Sequence, residues 1–195
     1  MACTAETAVG GPLGPNSRFY ACDTRQVSRN PMQVAAEYAH GRNLRKGRYS
    51  ERGRIYLVTS CCQQRRKLFS ASYLASTLCD QFPHQDKLDG RLTLAFVVMP
   101  DHFHWLVQLT NDVLLCEVVN SMKGRSARAI NLARGSRESV WQAGFHDRAL
   151  RKTDDLQIMA NYLIHNPVRA GLVHVPQEYP YWWSAWHRKD KAPRA

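Results

Sequence analysis

A chain of 195 residues can build one domain with a sizeable core and is too short for two full ones. Its 27 Lys and Arg against 16 Asp and Glu leave a formal charge of +11, which favours a polyanionic partner, nucleic acid first, because basic side chains that neutralise phosphates release condensed counterions. No apolar run approaches the roughly 18 residues of a membrane span, the start MACTAETAVGGPLG lacks the features of a secretion signal, and the cysteines form no C-x-x-C pair. A reducing, cytoplasmic and nucleoid-associated setting is expected, with no membrane and no small-molecule substrate.

Residues 1–43 are rich in Gly, Pro, Ala and polar side chains, with a short helix-compatible piece at 32–38, and are expected to form a loose extension. Arg42, Arg45, Lys46, Arg48, Arg52 and Arg54 follow, with two glycines between them. This reads either as a solvated charge run or as a flexible arm whose Arg45, Lys46 and Arg48 contact phosphate. The folded domain is expected over 44–187, followed by a basic tail at 188–195.

Residues 55–62 alternate and are rich in Ile, Tyr, Val and Thr, predicting a first strand. Residues 68–82 carry a helical pattern that ends before Pro83. Residues 92–99 are so continuously apolar that a central strand is predicted, and Pro100 and Asp101 separate it from a further strand at 102–109, tightly enough for antiparallel pairing. A helix capped by Asp112 should carry the stripe Leu115, Val118, Val119, Met122, Ser126, Ala129 and Ile130. Lys123, Arg125 and Arg128 lie off that stripe and are expected on faces open to solvent or phosphate. Residues 139–150 read as a fourth strand, irregular at Gly144. A last helix, capped by Thr153, runs to about His165 with Leu156, Met159, Ala160, Leu163 and Ile164 on its apolar face. The order strand, helix, strand, strand, helix, strand predicts an α+β, ferredoxin-like antiparallel sheet with two helices on one face.

Within MPDHFHWL, residues 99–106, strand alternation puts His102 and His104 on one side, about 6 to 7 Å apart along the chain. Two half-buried histidines with ordinary hydrogen bonds would satisfy this pattern, and so would two ligands of one metal ion. Phe103, Trp105, Val107 and Leu109 share the other face. Tyr162 falls on the flank of the last helix, and Asn166 lies one turn on if the helix survives Pro167. Together with the basic surface these residues suit a phenolic attack on a DNA phosphodiester. A divalent cation on His102 and His104 would polarise the phosphate, and Asn166 would add a neutral oxygen suited to Mg²⁺ or Mn²⁺.

MPDHFHWL resembles the His-hydrophobic-His motif of the HUH single-strand transposases and relaxases. VWQAGFHDRAL, at 140–150, and ANYLIHNPVRAGLV, at 160–173, are similar to segments of the REP-associated tyrosine transposases. The resemblance implies metal-dependent cleavage and joining of single-stranded DNA beside hairpins of repetitive palindromic DNA, by a monomer or homodimer. It matches His102 and His104 to the metal pair, Tyr162 to the nucleophile and Asn166 to a further ligand. His146 and Asp147 fall in a family-like segment as possible supports of the site. Two rivals are a hairpin-binding protein of the same fold that no longer cuts and a metal-dependent hydrolase that uses water. Trp182, Trp183 and Trp186 could either stack on unpaired bases or close the core.

Overall fold

The computed structural model describes residues 50–82, 90–151 and 154–187. Arg42, Arg45, Lys46, Arg48, the piece at 32–38, the cap expected at Thr153 and the basic tail at 188–195 lie outside them.

Strand alternation builds the sheet. β1 (Ile55–Cys61) buries every second residue, and β3 (His102–Leu109) sends Phe103, Trp105, Val107 and Leu109 into one core. β2 (Arg91–Met99) is buried at all but one position, as its continuous apolar run requires. With β4 (His146–Ala149) and β5 (Trp182–Ser184) these form an antiparallel sheet in the order β4-β1-β3-β2-β5. This is the α+β arrangement that the element order predicts, extended by one strand from the aromatic segment near the end of the chain.

The two faces are covered differently. α1 (Ser72–Cys79) and α2 (Leu115–Ala133) pack Leu74, Leu78, Val118, Met122 and Ile130 against Phe103, Trp105 and Val107. α3 (Leu156–Ile164) lays Ala160, Leu163 and Ile164 on the other face, against Ala95, Val97, Met99 and Leu106. His102 and His104 have the parity of Leu106, so the histidines and α3 share a face. Among the described residues no helix is long and apolar enough to cross a membrane.

Several local expectations change. The helix expected over 68–82 is interrupted: Leu68–Ser70 is a single tight turn, Ala71 is extended, and only then does α1 begin. The Phe69 N–H donates to the Pro100 carbonyl at 2.9 Å, so the chain there serves the β2–β3 turn instead of continuing a helix. Asp112 does not cap α2. Its N-cap is Leu114, whose N–H donates to the Glu117 carboxylate, and the next N–H donates to the Ser50 hydroxyl. α3 is capped by Asp155, whose carboxylate accepts from the N–H groups of Gln157 and Ile158. The fourth strand shortens to β4, because Gly144 at φ +75° turns the chain and leaves Trp141 only an isolated bridge to Cys62. Lys123 is buried, not solvent-facing. Its ammonium donates to the carbonyls of Gln142 and Gly144 at 2.7 and 2.6 Å, tying α2 to the approach to β4.

Candidate active site

The histidine pair is set by the shortest connection in the sheet. Only Pro100 and Asp101 lie between β2 and β3, so Met99 pairs with His102 and the histidines stand at the start of β3. Cross-strand pairing places Thr59 beside His104 and puts His146 beside Thr59, one strand further on. Directly paired residues share a face, so His146 lies on the histidine face, about 10 Å from His104 across two strand spacings. Asp147 pairs with the core residue Val58 and belongs to the opposite face.

The ring nitrogens are arranged in order. His102 Nε2 and His104 Nε2 are 3.2 Å apart, His102 Nδ1 is 2.6 Å from Asp101 Oδ1, and His104 Nδ1 is 2.8 Å from Thr59 Oγ1. Asp101 Oδ2 also meets Arg65 Nε at 3.2 Å, and Arg65 Nη1 reaches Cys61 Sγ at 2.8 Å. Gln64 and Arg65, both at φ 55°, turn the chain so that Arg65 comes back over the strand end. Burial raises the Asp101 carboxyl, but the His102 hydrogen bond and the charges of His102 and Arg65 outweigh it and hold the group below its usual value. His104 is pushed down to about 3, first by burial and then by the charges of His102, Arg169 and Arg65. It is therefore neutral at physiological pH, the state a metal ligand needs.

An ionised carboxylate only accepts, so His102 donates through Nδ1 and turns Nε2 toward His104. His104 then has two options. With Thr59 donating to Nδ1, its Nε2–H can donate to His102. With Thr59 accepting, His104 Nε2 carries a lone pair that faces His102 Nε2, and either a proton or a metal cation can lie between the two nitrogens. Two ligand nitrogens in adjacent octahedral positions at about 2.1 Å from one ion stand roughly 3 Å apart, so the 3.2 Å spacing fits. The carboxylate behind His102 is the usual outer partner of a metal-bound histidine. Among the described residues no group of three or more His, Cys, Asp or Glu gathers, so further ligands would be amide, water or substrate oxygens.

Tyr162 lies on α3 and is 41 % exposed. α3 ends at Ile164, and after His165 a further helical turn, α4 (Asn166–Arg169), carries Pro167 in its first turn, where the missing N–H costs no hydrogen bond. The helical path therefore continues past the proline. Tyr162, Asn166 and Arg169 fall at i, i+4 and i+7, on one face. Arg169 lies over the Tyr162 ring at 3.8 Å from its centroid and donates to the Tyr162 carbonyl at 2.9 Å and to Asn166 Oδ1 at 2.7 Å. Asn166 Nδ2 donates to the Leu163 carbonyl at 2.8 Å.

Of the basic residues expected on α2, Arg128 is exposed and Arg125 is half-buried with an Nη2 hydrogen bond to Ser121. Lys123 is committed to the backbone, as described above. Sequence reasoning overlooked Thr59, Arg65, Asp101 and Arg169. Asp101 could have been noticed as a carboxylate beside a candidate ligand, and Arg169 by its seven-residue spacing from Tyr162. Thr59 depends on strand register, which alternation alone does not give.

The profile of the IS200-like transposases matches residues 53–166, more than half of the chain. The chain belongs to that family. The matched span begins just before β1 and ends on Asn166, so it contains the histidine pair, Tyr162 and four of the five strands. A Haemophilus influenzae protein classed among the REP-associated tyrosine transposases is 27% identical over 157 residues, covering 72% of this chain and 84% of that one. The REP-associated tyrosine transposase of Escherichia coli is 30% identical over 95 residues, covering 48% of this chain and 53% of the relative. A structure of a REP-associated tyrosine transposase bound to a REP hairpin superposes with a TM-score of 0.57 at 24% identity, covering 69% of this chain and 79% of that one, and so shares the fold of this IS200-like chain.

Proposed function

We propose that this IS200-like transposase binds hairpins of repetitive palindromic DNA and cleaves and rejoins the adjacent single strand through a covalent tyrosine intermediate. The observation that carries the reading is the convergence of two histidine Nε2 atoms to 3.2 Å, with the outer nitrogens tied to Asp101 and Thr59, on the sheet face that also receives the Tyr162 helix. Hairpin binding by the superposed relative supports the choice of substrate.

His102 and His104 would hold Mg²⁺ or Mn²⁺, with Asn166 as a candidate further ligand through its amide oxygen. When bound, the ion supplies positive charge to the scissile phosphate and to the oxygens of the transition state. Asp101 fixes the His102 ring, and Thr59 does the same for His104. The Tyr162 oxygen attacks phosphorus, its proton leaves, and the 3′-oxygen departs and is protonated, giving a 5′-phosphotyrosyl bond and a free 3′-OH. Because the ester energy is kept in that bond, a second strand's 3′-OH can reverse the step without ATP. Arg128 on α2, with Arg45, Lys46 and Arg48, would contact phosphates of the stem.

The test is a labelled single-stranded hairpin oligonucleotide incubated with the full chain and Mg²⁺ or Mn²⁺. A covalent adduct that disappears in Tyr162→Phe is expected. Cleavage that survives Tyr162→Phe would make water the nucleophile, and tight binding without cleavage would leave a hairpin-binding protein that no longer cuts.

A further inference from the structure

We infer that Arg169 is a positioning residue of this site, one guanidinium that sets both the ring of Tyr162 and the amide of Asn166. The inference rests on the reading of Tyr162 as nucleophile and goes beyond it, since the chemistry of attack by itself assigns no role to an arginine at this place.

Three contacts converge on one side chain. The guanidinium carbon is 3.8 Å from the Tyr162 ring centroid, Nη1 donates to the Tyr162 carbonyl at 2.9 Å, and Nη2 donates to Asn166 Oδ1 at 2.7 Å. A planar fork can satisfy a carbonyl and an amide at once while stacking on a ring, and a lysine ammonium cannot. The stack matters because Tyr162 is exposed, so a cation over its ring adds to what holds the side chain in place.

The Asn166 contact has a second effect. With Nδ2 on the Leu163 carbonyl and Oδ1 on Arg169, the amide has one orientation, and its oxygen keeps a second lone pair for another partner. Arg169 thereby selects which end of the amide is presented.

The experiment uses the full chain with 3-fluorotyrosine incorporated at position 162, in wild-type, Arg169→Lys and Arg169→Gln backgrounds. Fluorine NMR without DNA reports the ring environment, melting temperature reports folding, and hairpin affinity and adduct rate are measured separately. A displaced, averaged fluorine signal is expected in both variants at unchanged melting temperature. Hairpin affinity should hold while the adduct rate falls about 100-fold, the scale of a nucleophile misplaced by an ångström. Lysine should fail to rescue. An unchanged fluorine spectrum, or an Arg169→Lys variant with the wild-type adduct rate, would overturn the inference, since charge alone would then suffice. If the wild-type protein forms no adduct with any tested hairpin and metal, the nucleophile reading fails, while the fluorine spectra still decide whether Arg169 sets the ring.

Discussion

Asp101 is the residue on which the orientation of His102 depends, because it alone accepts from Nδ1 and is itself held by Arg65. Asp101→Ala should leave the sheet intact by circular dichroism yet weaken Mn²⁺ binding about 10- to 100-fold, the usual cost of losing such an outer partner. Unchanged affinity in titration calorimetry would show that the ring is fixed by packing instead. Cys62, one residue past β1, gives a pH-dependent test of the same corner. Its thiol is pushed up to about 12, mainly by burial and secondly by the Asp101 charge. Because the folded state binds this proton more tightly than the unfolded chain, its contribution to stability is complete below about 9 and is lost as pH rises toward 12. At pH 8 iodoacetamide should therefore label the half-buried Cys61 well before Cys62, resolved by peptide mass spectrometry. Equal labelling would mean that the strand end opens readily.

α2 shows where helical periodicity informs and where it misleads. The stripe from Leu115 to Ile130 was legible, since Val118, Val119, Met122, Ser126 and Ile130 are all buried. Lys123 was not, because a side chain off the apolar stripe is buried only if another segment folds over it, and the approach to β4 does so. Lys123→Met should cost about 3 kcal/mol in urea unfolding, since two carbonyls lose charge-assisted donors. Arg128→Ala should change stability by less than about 0.5 kcal/mol. If Lys123→Met is neutral, those carbonyls must be satisfied by water. The same limit explains the other departures. Asp112 and Thr153 were reasonable caps by residue type, but Ser50 and Glu117 serve α2 and Asp155 serves α3. The β1–β3 pairing that sets Thr59 against His104 arises from contacts far apart in the chain, which no local pattern encodes.

At the scale of the molecule the question is which basic residues meet DNA, because a formal charge of +11 does not say where the charge acts. Each phosphate neutralised on a duplex stem contributes about 0.9 to the slope of log affinity against log salt. A site that takes hairpins mainly by their backbone, with six or more such contacts, should lose at least about 10³ in affinity between 50 and 200 mM salt. Two groups of residues can supply four of those contacts, the arm with Arg45, Lys46 and Arg48 and the exposed α2 flank with Arg128. Replacing the three arm residues with Gln should lower the slope by about 2.7, against about 0.9 for Arg128→Gln. Fluorescence anisotropy across a salt series measures both. If the arm variant keeps the wild-type slope while affinity is unchanged, the arm is a solvated charge run, and the phosphate-binding surface must be sought on the folded domain alone.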